Sequence, residues 1–450
     1  MVAACTTCLL WGEGGCGSDA GRPNIVLVVI DTLRADKLGA YGFPEASSPA
    51  FDALAERGVL FTNVLAPSSW TRTSIASLVT GLHPRSLGIF HEYHDALGER
   101  FTTLAEVLWA GGYRTLGATA NPNINRSYHF DQGFDEYTDS QVIFPWMAPE
   151  PGAQSSDGAA LPAGRDIYRS LVERIAASEL RPFYVQVNVM EVHEHIRMRR
   201  RPELYAELPG QKDTAGLFEG RQDADYLRTV RQATDEVVAF IEEVAALPDG
   251  RDTLFVVTSD HGEGLGDHPG VPNAGRHGFL LYESQLRVPL LLYHPGGALP
   301  GGRVVEQPVR LLDVMPTLLD FAGLQGPDGM DGRSLLPLAR GDGEVELPST
   351  FFAETRFQRR DKVAAYTRDW KYIENRESQP RLPPRALHRV GVHEQGARTD
   401  VAAEHPELIE ALAEQVRSWE RRHPAAESTR PEVAPSLLEQ QQLRDLGYLR

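Results

Sequence analysis

The chain has 450 residues, 42% of them hydrophobic and 24% charged, which is enough apolar content for one large core or two unequal ones. Its formal net charge of -17 is spread along the chain, which disfavours nucleic acid and anionic membrane as partners; an anionic substrate would need a local cation, such as a divalent ion helped by arginines. Cys5, Cys8 and Cys16 are the only cysteines, so disulfides, thiol chemistry and thiolate metal sites are excluded beyond residue 16, and no apolar run is long enough to span a bilayer.

Residues 1–18 are small and apolar, but they lack a basic start and are interrupted by Glu13. Gly14-Gly15-Cys16-Gly17-Ser18 offers Cys16 as the lipid-bearing cysteine of a bacterial lipoprotein, which would place the chain outside the cytoplasm. The other reading is a disordered leader on a cytoplasmic protein.

The first strong element is Asn24–Ile30, a continuous β-branched run of the kind buried on both faces of a parallel sheet, and it ends in Asp31. Apolar residues at three- and four-residue spacing predict helices over 48–57, 102–110 and 225–247. Phe183–Val189 is a second buried strand, ending just before Met190-Glu191-Val192-His193-Glu194-His195. Thr253–Thr258 is a third, delivering Asp260 and His261. Alternating strands and helices predict an α/β fold, a large mainly parallel sheet with helices on both faces. In such sheets ligands bind beyond the carboxyl ends of the strands, where Asp31, His193, Asp260 and His261 fall.

After residue 341 the texture changes. Short strands are expected over 350–354, 363–366 and 370–373, then a loop at 380–384. Residues 406–419 place Leu408, Ile409, Leu412, Val416 and Trp419 on one helical face, suited to packing on a small sheet. The expected organisation is a leader or linker over 1–21, a catalytic domain over 22–340, and a C-terminal α+β subdomain with an antiparallel sheet over 341–450.

An aspartate after a buried strand is most often a helix cap. Ser259-Asp260-His261-Gly262-Glu263 sets a second carboxylate beside an imidazole at another strand end. Asp and His are suitable ligands for a divalent ion, which also offsets the several kcal/mol that a buried carboxylate costs.

Three segments, Pro23 to Arg34, Trp70 to Gly81 and Ser259 to Glu263, resemble the sulfatases, within the alkaline phosphatase superfamily. Further matches follow in order: Gly112-Tyr-Arg-Thr115, Met190-Glu-Val-His193, Tyr282-Glu283 with Arg287-Val-Pro289, Asp313-Val-Met-Pro-Thr317, Asp331-Gly-Arg-Ser-Leu335 and Trp370-Lys-Tyr-Ile373. The resemblance implies one divalent ion, often calcium in sulfatases, holding the substrate's anionic head beside a nucleophile at a helix N-terminus. Asp31, Asp260 and His261 match metal positions, and Thr71 stands in the nucleophile slot, where its hydroxyl is counted as a further ligand of the ion. Sulfatases commonly carry a second aspartate where this chain has Thr32, and often an asparagine where it has His261. The less oxygen-rich set admits manganese, magnesium or zinc.

The formylglycine motif is absent, since Thr71, Thr73 and Ile75 replace its Cys or Ser, Pro and Arg. A threonine at a helix N-terminus beside an ion can still attack, with Ser74 bonding locally, and its covalent ester would be opened by water. Phosphotransferring relatives use threonine, which turns the expectation toward phosphodiester, phosphonate or phosphomonoester substrates alongside sulfate esters. His193 matches the family's substrate-side histidine, which bonds the anion or protonates the leaving oxygen, and His277 lies near the position of a second such group, often a lysine; the alternative for each is a satisfied surface or core histidine. Arg72 is a candidate for the missing positive charge, with a surface helix residue as the alternative. Asn121 is a candidate substrate contact near the place of a missing family lysine, or a turn opener before Pro122.

A two-ion site would draw on Glu191, His195 and His277, whereas His268 reads as a loop residue. The expected substrate is an anionic sulfate or phosphate ester, with a glycan or lipid as a candidate alcohol portion and loops 143–165 and 194–223 lining that side. The alternatives are transfer of a phospho-group to an acceptor, phosphodiesterase action, or an inactive protein that only binds such a ligand. Oligomeric state is not specified.

Overall fold

The computed structural model describes residues 21–90, 95–139, 164–177, 182–195, 218–268, 270–377, 381–391, 399–431, 440 and 443. The cysteines of the leader, most of the two pocket loops and the tail at 446–448 lie outside them.

One large sheet carries the strands β1 (Asn24–Ile30), β2 (Val59–Leu65), β3 (Arg114–Thr119), β4 (Glu136–Thr138), β5 (Phe183–Val189), β6 (Thr253–Thr258), β7 (Arg287–Tyr293), β8 (Arg303–Val305) and β9 (Val309–Arg310). Its order is β4-β3-β5-β1-β6-β7-β2-β8, with β9 also on β2. β7 pairs antiparallel with both neighbours, and every other pairing is parallel. β1 lies centrally, and its side chains alternate between two cores. Ile25, Leu27 and Val29 join a core containing Ile75, Leu78, Leu104 and Leu318, whereas Val26, Val28 and Ile30 join one containing Phe51, Leu171, Val237 and Ile241. Both faces are therefore covered by helices, which is why a run with no polar alternation is stable there.

The expected helices are seen as α1 (Pro49–Ala55), then Leu104–Ala110, opened by a Thr103–Glu106 capping box, and Ala224–Ala245. A second sheet, ordered β10-β11-β12-β13, is antiparallel throughout: β10 (Phe351–Thr355), β11 (Lys362–Tyr366), β12 (Trp370–Asn375) and β13 (Arg385–Arg389). β13 follows directly on the expected loop and adds a strand to the three anticipated. One face of this sheet, through Ala364, Tyr366 and Ile373, shares the large sheet's core. The other, through Val363, Ala365, Tyr372 and Leu387, is covered by Ile409, Leu412, Val416 and Trp419 of the helix Pro406–Arg422. No helix among the described residues is long and apolar enough to cross a membrane.

Candidate active site

The carboxyl ends of β1 and β6 are adjacent in the sheet, in the register Val29 to Thr258, so Asp31 and Asp260 emerge side by side. Between them the chain turns through Thr32, a β-branched residue at φ 60°. That left-handed conformation costs about 1–3 kcal/mol, and dense bonding maintains it. Thr32 N donates to Asp260 Oδ1 at 3.2 Å, Thr32 Oγ1 to the Asp31 carbonyl at 2.7 Å, and the Tyr226 hydroxyl to the Thr32 carbonyl at 2.8 Å.

Both aspartates are fully buried. Asp260 Oδ1 also accepts from His261 N at 2.9 Å, and Asp31 Oδ2 accepts from Asn121 Nδ2 at 2.5 Å. Their other oxygens, Asp31 Oδ1 and Asp260 Oδ2, have no hydrogen-bond partner. One ligand atom each from Asp31, Asp260 and His261 lies within 4.8 Å of the others. Burial first, then repulsion from Asp260, push the Asp31 carboxyl up to about 7, against the pull of His193, His261 and Asn121. Two carboxylates with bare oxygens in a dry pocket beside an imidazole form a donor set that fits a divalent cation.

His261 Nδ1 faces the Gly262 carbonyl at 2.9 Å, a group that only accepts, so the proton sits on Nδ1. Nε2 is then the acceptor, and the Thr71 hydroxyl, 3.1 Å away, donates to it. Thr71 is the first residue of α2 (Thr71–Thr80), a helix whose every residue is buried. Ser74 Oγ, in its first turn, donates to the Asp260 carbonyl at 2.6 Å and ties the helix end to the β6 strand end.

His277 lies alongside, with ring centroids 4.7 Å from His261 and 5.1 Å from His193. Its Nδ1 is 2.9 Å from Glu263 Oε2. Burial would raise the Glu263 carboxyl, but His277, His195 and the Gly264 amide outweigh it and bring it down to about 2. Burial, with His261 and His193 nearby, holds His277 down to about 4 despite Glu263. The pair is an ionised carboxylate accepting the Nδ1 proton of a neutral imidazole. For His193 burial works against the charged form, but Glu194, Asp31 and Glu263 prevail and raise it.

Arg72 is buried, its Nε donating to the Asn123 carbonyl at 2.8 Å and its Nη1 to the Asp95 carbonyl at 3.1 Å, with the guanidinium 3.4 Å from the Tyr128 ring centroid. Asn121, besides holding Asp31, accepts at Oδ1 from Asn123 N at 2.8 Å. Glu191 accepts from Gly164 N through Oε1, and His195 Nδ1 faces the Val192 carbonyl at 2.9 Å. Neither joins a metal-ligand group among the described residues. His268 Nε2 is 3.3 Å from Ser284 Oγ.

Three contributors went unassigned in the sequence. Glu263 was visible in its motif but without a role. Arg34, fully buried, ion-pairs with Asp36 and Asp267 and donates to the Glu263 carbonyl at 3.0 Å, pinning the loop that carries Glu263. Phe357, from the C-terminal region, packs 4.3 Å from Trp70 beside the histidines. The signal for Arg34 was its position after a buried strand end; for Phe357 there was none.

The family profile described as "Sulfatase" matches residues 23–324, and one described as "N-sulphoglucosamine sulphohydrolase, C-terminal" matches residues 275–375. An ulvan-active sulfatase of Formosa agariphila is 26% identical over 71% of this chain, a match that spans 65% of that protein. Arylsulfatase A of Homo sapiens is 27% identical over 74% of this chain and 71% of its own length. The solved structure of the phosphonate monoester hydrolase of Agrobacterium radiobacter superposes with a TM-score of 0.68 at 21% identity, covering 89% of this chain and 96% of that one. With a family profile covering most of its length and a fold that places paired carboxylates at adjacent strand ends, the chain belongs to the sulfatase family of ester hydrolases.

Proposed function

We propose that the protein hydrolyses a sulfate or phosphate ester with Thr71 as nucleophile, and that Asp31, Asp260 and His261 hold one divalent ion beside it. The observation that carries this reading is the Thr71 hydroxyl at the start of α2, 3.1 Å from His261 Nε2, a nitrogen whose lone pair would turn to the ion and leave the hydroxyl beside it, close to oxygens of Asp31 and Asp260 that accept no hydrogen bond. The ion, when bound, supplies positive charge for the anionic head and for the developing Thr71 alkoxide. The donor set of two carboxylates and one imidazole suits manganese, magnesium or zinc as well as calcium.

His277, neutral, oriented by Glu263 and stacked on the His261 ring, would take up the Thr71 proton once the ion holds His261 Nε2. His193, whose charged form the neighbouring carboxylates favour, gives its proton to the leaving oxygen. A bond forms from Thr71 Oγ1 to sulfur or phosphorus as the ester oxygen departs, and water then opens the threonine ester and restores the hydroxyl. Asn121 positions Asp31, and Arg72 positions the start of α2 through the carbonyls it bonds. Residues 22–340 would act as the catalytic unit, with 341–450 closing one side of the site through Phe357.

Threonine cannot expel sulfate by collapsing to an aldehyde, which favours a phosphorus ester. The test is a parallel assay of aryl sulfate, phosphate diester, phosphate monoester and phosphonate across several divalent ions, with Thr71→Ala as control. Full activity in Thr71→Ala overturns the nucleophile. A clear sulfate preference overturns the phosphorus reading, and ligand binding without turnover under every condition identifies an inactive binding protein.

A further inference from the structure

We propose that His83, Asp331 and His423 form a second divalent-metal site, suited to zinc, that fastens the end of the C-terminal helix to the base of α2. One ligand atom from each residue lies within 4.8 Å of the other two. The three come from distant parts of the chain, one just after α2, one in the loop after the helix Val314–Phe321, and one at the C-cap of the helix Pro406–Arg422. Thr71 begins α2 and His83 follows its end, so the cluster stands about 15 Å or more from the nucleophile, at the opposite pole of the same helix.

The backbone holds two of the ligands together independently of any ion. Asp331 N and Gly332 N donate to the Gly81 carbonyl at 2.9 and 3.0 Å, and His83 N donates to Asp331 Oδ2 at 3.0 Å. His83 is buried, and its Nδ1 has no hydrogen-bond partner. A buried imidazole with a bare nitrogen is neutral and holds a lone pair ready for a metal.

The third ligand is oriented by the end of its own helix. His423 Nδ1 sits 3.0 Å from the Trp419 carbonyl, which only accepts, so that nitrogen carries a proton. Its Nε2 lies 3.0 Å from Asp331 Oδ1. A lone pair facing a carboxylate oxygen at that distance is repulsive unless something positive lies between or beside them. A second proton on the ring meets this requirement, and so does a metal ion. Binding of the metal therefore exchanges a proton for zinc.

Two imidazoles and a carboxylate make a donor set that favours zinc over the oxygen-seeking calcium and magnesium. The end of a helix also favours a cation, because its last carbonyls point there. Nearby arginines are engaged: Arg85 Nη1 pairs with Glu420 at 2.8 Å and Arg310 Nη2 with Asp313 at 2.7 Å. The Asp331 and His423 side chains retain 17% and 22% exposure, which gives the ion a route in and leaves room for water as a fourth ligand. Zinc–nitrogen bonds of about 2.0–2.1 Å put donors about 3.3 Å apart, so no pair need close by more than about 1.5 Å, and His423 Nε2 and Asp331 Oδ1 already lie at 3.0 Å.

The experiment uses the full chain carrying Asp31→Asn and Asp260→Asn, which removes the strand-end ion and makes the readout independent of catalysis. After chelation and dialysis, the protein is titrated with zinc chloride while bound zinc and Tm are measured. The expected result is uptake of about one equivalent with a rise in Tm, both lost when His423→Gln is added. No uptake in the double variant, or equal uptake with and without His423→Gln, overturns the proposal. Should His423→Gln fail to fold by circular dichroism, His83→Gln in the same background takes its place with the same two readings.

Discussion

The two histidine–carboxylate clusters sit at opposite ends of α2, and they differ in what their carboxylates lack. At the strand ends Asp31 and Asp260 each leave one buried oxygen without a hydrogen bond, that of Asp260 lying 3.3 Å from His261 Nε2, and the two groups repel one another. At the far end both oxygens of Asp331 are bonded, one by His423 and one by the His83 amide, and its side chain stays partly exposed. The first arrangement is costly to the fold, a cost that the proposed cation would offset. The second is satisfied by a proton and can exchange it for a metal. The bare groups thus differ in kind: carboxylate oxygens at the strand ends, and the neutral His83 Nδ1 at the far end.

The sharpest test of this contrast is Thr71→Ala. Turnover should fall by at least about 10³-fold while metal content stays intact, measured by steady-state kinetics and elemental analysis, because only the attacking oxygen is lost. Trp419→Ala probes the other end. Trp419 stacks on Phe352 at 4.7 Å, lies under Arg85 at 4.8 Å and meets His83 edge-on at 5.2 Å, so its loss should cost about 3–5 kcal/mol in denaturant unfolding. A loss below about 1 kcal/mol would mean the helix end is not an anchor.

A smaller effect separates function from stability at the strand ends. Asp260→Asn should abolish metal retention and activity, yet stabilise the metal-free protein by about 1–2 kcal/mol, since it removes a repulsion within a buried pair. Destabilisation of the metal-free form would show that the pair is not strained. Glu263→Gln is expected to have the mildest consequence, a 10- to 100-fold drop in kcat as His277 loses the carboxylate that orients it, with Tm changed by only a few degrees. Unchanged kcat would remove His277 from the proton-transfer role.

How far the sequence could be read depended on what each residue's neighbours were. β1, β5 and β6 were legible to the residue because burial on both faces imposes an unbroken apolar run. The helix Pro406–Arg422 was legible because one face is wet, so the stripe from Ile409 to Trp419 stands out. α2 has no such stripe; all of its residues are buried, so periodicity carries no information and its place came from resemblance alone. β13 was hidden for another reason, since only Ala386, Leu387 and His388 of Arg385–Arg389 are buried, and a strand that short barely alternates.

The sequence by itself determined the class of sheet and the presence of Asp31, Asp260 and His261 beyond strand ends, because strand burial and residue identity are local facts. Tertiary structure alone decided that β1 and β6 are neighbours, that Thr71 donates to His261, that Arg34 and Glu263 stand behind the histidines, and that His83, Asp331 and His423 meet. Strand order and the closure of long loops bring these groups together, and a linear pattern does not encode which distant segments will share a wall.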